Sequence, residues 1–166
     1  MCSILFDGTR VHCANLGDSR TLKVKIFAQN DNNVQKINMV CKPLSIDHKC
    51  ELEDEANRIK EMGGVIDTFY DEDGDHEPIG PQRVWVKGEN FPGLAMSRSL
   101  GDAVAHTVGV SSIPEVKSYL VGVDDKFIVI GSDGVWEFLT NENIAEIVFP
   151  FYKLNQPETA ANEIVR

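Results

Sequence analysis

Apolar and polar positions change period along the chain, and the period predicts the elements. Ser3 to Phe6 and Arg10 to Leu16 are strand-like runs joined at the turn dipeptide Asp7-Gly8, which predicts a hairpin. Leu22 to Ala28 and Ile37 to Leu44 are two further strands, and the polar, Asn/Asp-rich stretch Gln29 to Gln35 between them reads as a loop. The period then switches. Leu52, Ala56, Ile59 and Met62 recur at three- and four-residue steps over Glu51 to Met62, which predicts a helix that packs Leu52, Ile59 and Met62 on a sheet and stops at Gly63-Gly64. Val65 to Tyr70 and Arg83 to Val86 are strand-like around an acidic loop, Asp71 to Pro81, and Leu94 to Ser97 reads as one more short strand. Val116 to Val121 and Phe127 to Ile130 follow, the second so continuously apolar that both faces of its sheet are expected to be covered. Thr140 or Asn141 suits the N-cap of a helix ending before Pro150, and Pro157 suits the first turn of a last one.

Strands and helices thus mix without strict alternation, and the expectation is an α+β fold over a single region, residues 1–166. A formal net charge of −10 argues against nucleic acid and anionic membrane surfaces as partners. The longest apolar runs fall well short of a membrane span, and no signal peptide is legible. None of the four cysteines, Cys2, Cys13, Cys41 and Cys50, stands in a C-x-x-C pair, so buried thiols in a reducing intracellular compartment are the reading.

Candidate chemistry gathers at strand ends. Asp133 closes the apolar run Phe127-Ile-Val-Ile-Gly-Ser and precedes Gly134. A carboxylate there is either a ligand for a hard divalent cation or a cap on the helical stretch Val135 to Leu139. Gly17-Asp18-Ser19-Arg20 reads locally as a tight turn with an Asx-type bond, and Ser97-Arg98-Ser99-Leu100-Gly101-Asp102 as a loop held by an internal Arg98–Asp102 bridge. The acidic run Asp71 to Glu77 fails the calcium-loop pattern, because His76 stands where Gly is required and Gln82 where Glu is required. No histidine stands beside a Ser or Cys in a nucleophile motif.

Five segments in order resemble the type 2C (PPM) protein phosphatases. Ala14 to Arg20 resembles the family's A-N-x-G-D-S-R turn. Asp47-His-Lys with Glu53-Asp-Glu, Arg58-Ile and Gly63-Gly64 resembles its D-H-K-P…E-D-E-x-x-R-I…G-G helix, with Cys50 in place of the Pro. Leu94 to Asp102 resembles L-A-x-S-R-x-x-G-D, Ile113 to Val116 the P-E-V strand entry, and Phe127 to Trp136 the F-x-x-x-x-S-D-G-x-W/F segment. The resemblance implies a two-sheet antiparallel β-sandwich flanked by helices. It also implies two Mg²⁺ or Mn²⁺ ions at one end that activate a water against phosphoserine or phosphothreonine of protein substrates. It makes Asp133 a metal ligand, with Asp102, Arg98, Asp18, Arg20 and Gly134 in support near it, and implies a monomer when complete, acting in the cytoplasm or nucleus. The family's upstream D-G-H-G-G motif, its upstream phosphate-binding Arg and its downstream G-x-x-D-N Asp have no counterpart in residues 1–166. The expectation is therefore a central portion, incomplete at both ends and inactive alone; a phosphatase-like regulatory module without catalysis is the alternative.

Overall fold

The computed structural model describes residues 1–31, 34–70 and 78–166. Its elements are β1 (Cys2–Phe6), β2 (Arg10–Asn15), β3 (Arg20–Asp31), β4 (Val34–Pro43), α1 (Glu53–Glu61), β5 (Gly64–Tyr70), β6 (Pro78–Val86), β7 (Pro92–Leu94), α2 (Ala103–His106), β8 (Glu115–Leu120), β9 (Asp125–Gly131), α3 (Asp133–Trp136), α4 (Asn141–Lys153) and α5 (Pro157–Ile164). The strands form three-stranded sheets in the orders β1-β2-β8, β4-β3-β9 and β5-β6-β7. The chain divides into two compact units, one comprising Met1, Leu16–Asp18 and Asp47–Glu115, the other Cys2–Asn15, Ser19–Ile46 and Val116–Arg166.

The second unit holds the sandwich, and the alternation of β3 explains it. Leu22 and Val24, both fully buried, point to one face and pack with Ile144, Ala145 and Val148 of α4 and Ala160 of α5. The residues between them point to the other face, where the sheet β1-β2-β8 lies: Val11, Cys13, Tyr119 and Ile128 pack together there with Leu44. Lys23 also falls on that face and is buried, so it needs a counter-charge; its Nζ lies 2.8 Å from Asp125 Oδ2, and both side chains are 5 % exposed. The β3–β9 register sets Val24 beside Phe127 and Leu22 beside Val129, so these apolar residues share the helix-facing side.

In the first unit, α1 and α2 pack on β5-β6-β7 around Cys50, Ile59, Val84, Ala105, Val108 and Val110. Gly64 is the close-approach point of this unit. A Cβ there would sit 2.7 Å from Ile59 Cγ2 and 2.5 Å from Val108 O, so a larger residue would push the helix off the sheet.

Several expectations are corrected. The ladder between β3 and β4 runs on through the Asn30–Gln35 and Asp31–Val34 pairs, inside the stretch read as loop. Backbone pairing carries a hairpin outward whatever its side chains, and Gln29 and Lys36 at the base of this stretch are exposed. Residues 32 and 33, and residues 71–77 of the acidic segment that failed the calcium pattern, lie outside the described residues; Pro78 to Pro81, also read as loop, are strand in β6. The strand expected at Leu94 to Ser97 is instead Pro92–Leu94. Only Ile59 of the three α1 positions is buried on the sheet; Leu52 and Met62 are exposed, and the helix's other buried residue is Glu55. β9 is only partly buried, with Ile130 46 % exposed, so its apolar run is not a sign of cover on both faces. His106 ends the short helix α2.

α4 does not end before Pro150; it contains it and continues to Lys153. A proline in a helix interior removes a hydrogen bond and crowds the preceding turn. The helix holds because both its ends and its inner face are fixed. Thr140 and Asn143 form a reciprocal capping box at the start, and Phe151, one residue beyond the proline, packs on the core.

Candidate functional site

The six residues singled out in sequence fall three to each unit. In the first unit lie Asp18, Arg98 and Asp102; in the second, Arg20, Asp133 and Gly134.

In the first unit the chain reverses at Gly17, whose φ of +98° favours glycine. The turn is stapled to the segment around His48. Gly17 N–H donates to His48 Nδ1 at 3.1 Å, and His48 N–H donates to Gly17 O at 3.0 Å. Ser97 N–H donates in turn to His48 O at 2.8 Å, so Gly17-Asp18 and Ser97-Arg98 flank the same short strip of chain. Asp18 makes no Asx turn; its Oδ2 takes a 2.6 Å bond from Lys49 Nζ. Because His48 Nδ1 accepts, the neutral ring carries its proton on Nε2, which is buried without a partner among the described residues. Burial, with the nearby positive Arg98, lowers the pKa of this imidazole and keeps it neutral.

Arg98 does not bridge to Asp102. It reaches Glu55, with Nε 3.0 Å and Nη2 2.5 Å from Oε1, and donates from Nη1 to Ile113 O at 2.9 Å. Arg58 Nη2 at 2.7 Å and Ser97 Oγ at 2.6 Å complete the shell on Glu55 Oε2. Burial by itself would raise the Glu55 carboxyl; the hydrogen bonds from Arg98, Arg58 and Ser97 outweigh it and hold the group far below the ordinary carboxylate range. Asp102 stands exposed at the N-cap of α2 and makes no side-chain cap bond. Its bridge was expected from proximity in sequence, but a buried carboxylate from another element offers Arg98 the drier and stronger pairing.

In the second unit Arg20 pairs with Gly131 across β3 and β9. Its guanidinium lies 5.1 Å from the Trp136 ring centroid, and Nη1 donates to Asn141 Oδ1 at 3.1 Å. Arg20 thus ties the end of β9 to the last residue of α3 and the first residue of α4. Ser132 is the extended N-cap residue of α3, and Asp133 is its first helical residue. Asp133 is exposed, and its Oδ1 takes a 2.9 Å bond from Gly134 N–H. It therefore does not cap in the sense of reaching the second or third turn amide. Its carboxylate faces solvent, available to a cation.

Sequence reasoning quoted Glu55, His48 and Lys49 within motifs but gave them no role. A signal existed for Glu55: it stands three residues before Arg58 on one helix face, at the amino-terminal turn. Among the described residues no three His, Cys, Asp or Glu side chains converge as a metal cage. Asp133 fits a hard cation as a single oxygen ligand, and a full centre requires other ligands beside it.

The family model described as protein phosphatase 2C matches residues 2–166. Among curated proteins, the chain is 40 % identical over 153 residues to "Probable protein phosphatase 2C 12" of Oryza sativa subsp. japonica, covering 86 % of this chain and 36 % of that protein. It is 38 % identical over 148 residues to "Probable protein phosphatase 2C 1" of Arabidopsis thaliana, covering 88 % and 29 %. The chain thus spans about a third of the length of these relatives. Among solved structures, the serine-threonine phosphatase 2C from Toxoplasma gondii superposes with a TM-score of 0.76 at 20 % identity, over 99 % of this chain and 51 % of that one. A C. elegans sex determining protein does so with a TM-score of 0.73 at 21 % identity, over 99 % and 34 %.

Proposed function

The chain belongs to the protein phosphatase 2C family, and from that premise we propose that residues 1–166 are a central portion of one metal-dependent phosphatase domain acting on phosphoserine and phosphothreonine in proteins. The observation that carries this reading is Asp133: an exposed carboxylate just past the carboxyl end of β9, whose Oδ1 accepts from Gly134 N–H. A hard Mg²⁺ or Mn²⁺ ion takes oxygen ligands of this kind. Two such ions, when bound, would supply a water of lowered pKa and neutralise the phosphoryl oxygens.

This chain's own residues then serve by position. Asp133 offers its carboxylate from the first turn of α3, and the Gly134 N–H orients it. Arg20, held on Trp136 and Asn141, fixes the strand end from which Asp133 projects. Asp18 and Arg98 are held on either side of the His48 strip, and Asp102 remains exposed. In this reading the three have supporting roles and are not themselves ligands. A full centre needs further ligands and a phosphate-binding group beside these residues, so in this reading 166 residues alone turn over little substrate. The net charge of −10 supports protein substrates over nucleic acid. Among the described residues no helix is long and apolar enough to cross a membrane. A monomer inside the cell is the working state we propose.

The test is hydrolysis of a phosphothreonine peptide with Mn²⁺ by three proteins: this chain, a form lengthened at both ends to the span of its relatives, and the lengthened form carrying Asp133→Ala. The lengthened form is expected to be active, and Asp133→Ala to lower its kcat by more than about 100-fold, beyond what loss of a ligand's outer partner costs. Equal turnover by the short chain would refute the incomplete centre. An inactive lengthened form would make the protein a phosphatase-like binding module.

A further inference from the structure

We propose that Cys2 and Cys13 form an oxidisable dithiol, a site at which a hydroperoxide closes a disulfide between β1 and β2. The inference stands on the second unit alone and does not depend on the phosphatase reading. The β1–β2 register pairs Cys2 with Asn15 and Ile4 with Cys13. Cys2 and Cys13 are therefore diagonal neighbours whose side chains point to the same face, toward the sheet β4-β3-β9. Their sulfurs lie 3.9 Å apart. None of the four cysteines is disulfide-bonded.

The two thiols differ in access, and the difference assigns them roles. Cys2 is half-buried, whereas Cys13 is 1 % exposed. Cys2 is the thiol a small oxidant can reach, and Cys13 is the one placed to resolve the product. The other two cysteines are poorer targets. Cys50 is fully buried, and burial, with Glu51 nearby, pushes its thiol up to about 12. Burial and the charges of Glu142 and Glu146 raise that of Cys41 as well.

The step balances with hydrogen peroxide as oxidant. The Cys2 thiolate attacks one peroxide oxygen, the O–O bond breaks, and the second oxygen leaves as hydroxide and takes up a proton to become water. The Cys2 sulfenic acid is then attacked by Cys13 sulfur; the S–O bond breaks, the S–S bond forms, and the hydroxyl leaves as water with the Cys13 proton. Two thiols and one peroxide give one disulfide and two waters. The sulfurs must close from 3.9 Å to about 2.05 Å. Diagonal positions on paired strands have Cα atoms ~7–8 Å apart, wider than a relaxed disulfide spans, so the bond forms under tension. Such disulfides are easily reduced, which makes the site reversible. Cys2 Sγ also lies 2.8 Å from Thr21 Oγ1, so its movement on closure alters the contact of β1 with β3.

The experiment treats the folded chain with hydrogen peroxide, alkylates the remaining thiols after denaturation, and maps tryptic peptides. Cleavage at Arg10 and Arg20 puts Cys2 and Cys13 on separate peptides, Met1–Arg10 and Val11–Arg20. The expected result is a cross-linked pair of these peptides, lighter by two hydrogens than their sum and lost on treatment with dithiothreitol, while Cys41 and Cys50 remain alkylatable. Phenylarsine oxide, which bridges adjacent thiols, is expected to protect Cys2 and Cys13 together in the untreated chain. Cys2→Ser should abolish the cross-link and Cys41→Ser should not. Accumulation of Cys2 sulfinic acid with Cys13 still alkylatable, a Cys2 link to a second chain, or oxidation of Cys41 or Cys50 ahead of Cys2 would each overturn the proposal. Because the wild-type peptide map decides, a variant that fails to fold does not leave the question open.

Discussion

Replacing Glu55 with Gln removes one charge and keeps the shape of the side chain, so its effect isolates the ion cluster of the first unit. The carboxylate is 4 % exposed and takes bonds from Arg98, Arg58 and Ser97. The amide introduced by Glu55→Gln would aim a donor at a guanidinium or at the Ser97 hydroxyl. Breaking a buried pair by deleting one partner costs ~3–5 kcal/mol. The low end applies, because Arg98 keeps its bond to Ile113 O and Arg58 its bonds to Gly109 O and Ser97 O, and both guanidiniums retain some solvent. At a urea m-value of ~2 kcal/mol per molar, a loss of ~3 kcal/mol lowers the midpoint by about 1.5 M. The two tryptophans give the assay its resolution: Trp85 lies in the first unit and Trp136 in the second. In a Trp136→Phe background the fluorescence of Trp85 reports the first unit alone. Acid supplies an independent arm. A carboxyl held below its ordinary value of 4.5 stabilises the fold above that pH, and the stabilisation is lost as pH falls beneath it. Wild type and Glu55→Gln should therefore differ widely at pH 7 and converge as the pH drops well below 4. A midpoint shift under about 0.3 M, or a difference that does not shrink in acid, would refute the clamp as a stabilising device.

Pro150→Ala should raise the thermal midpoint, because it restores a helical N–H at an exposed site inside α4; a gain of ~1–3 kcal/mol at the transition is expected, and calorimetry showing a loss would mean that the proline is itself a packing element. Lys23→Met should destabilise the second unit by ~3 kcal/mol, since Asp125 is left buried without its main counter-charge, and Lys23→Met with Asp125→Leu should recover most of that in a double-mutant cycle read by Trp136.

What was legible in the sequence depended on whether the cause was local. The Asp7-Gly8 turn, the alternation of Leu22 and Val24, and the three/four spacing around Ile59 each carry their reason within a few residues, and each element appears where the pattern sets it. The β3–β4 extension is not legible because polar composition suggests the end of a strand, whereas ladder bonds belong to the backbone. Pro150 suggests a stop from the sequence because the anchorage of Phe151 on the core is a tertiary fact. The candidate residues can be singled out by position in the sequence, but their partners cannot. Arg98 and Glu55 are 43 residues apart, and nothing nearer than the folded chain says that they meet. Separation in sequence likewise hid Lys49 on Asp18, 31 residues away, and Arg20 on Trp136.

The two-faced nature of β3 decides where this chain tolerates length. In its inner half each residue is committed to a side, Leu22 and Val24 to the helices and Lys23 to the neighbouring sheet. One inserted residue there would turn the charge of Lys23 into the helix-facing core and swing an aliphatic side chain away from it. In the outer half the Gln29 and Asn38 side chains bond to each other in solvent, and both faces are wet. An added residue on that arm reverses nothing that matters to the core. Homologues should therefore differ in length along this arm and keep the spacing between Arg20 and Ile26 fixed, so the hairpin is a ruler at its base and a free length at its tip.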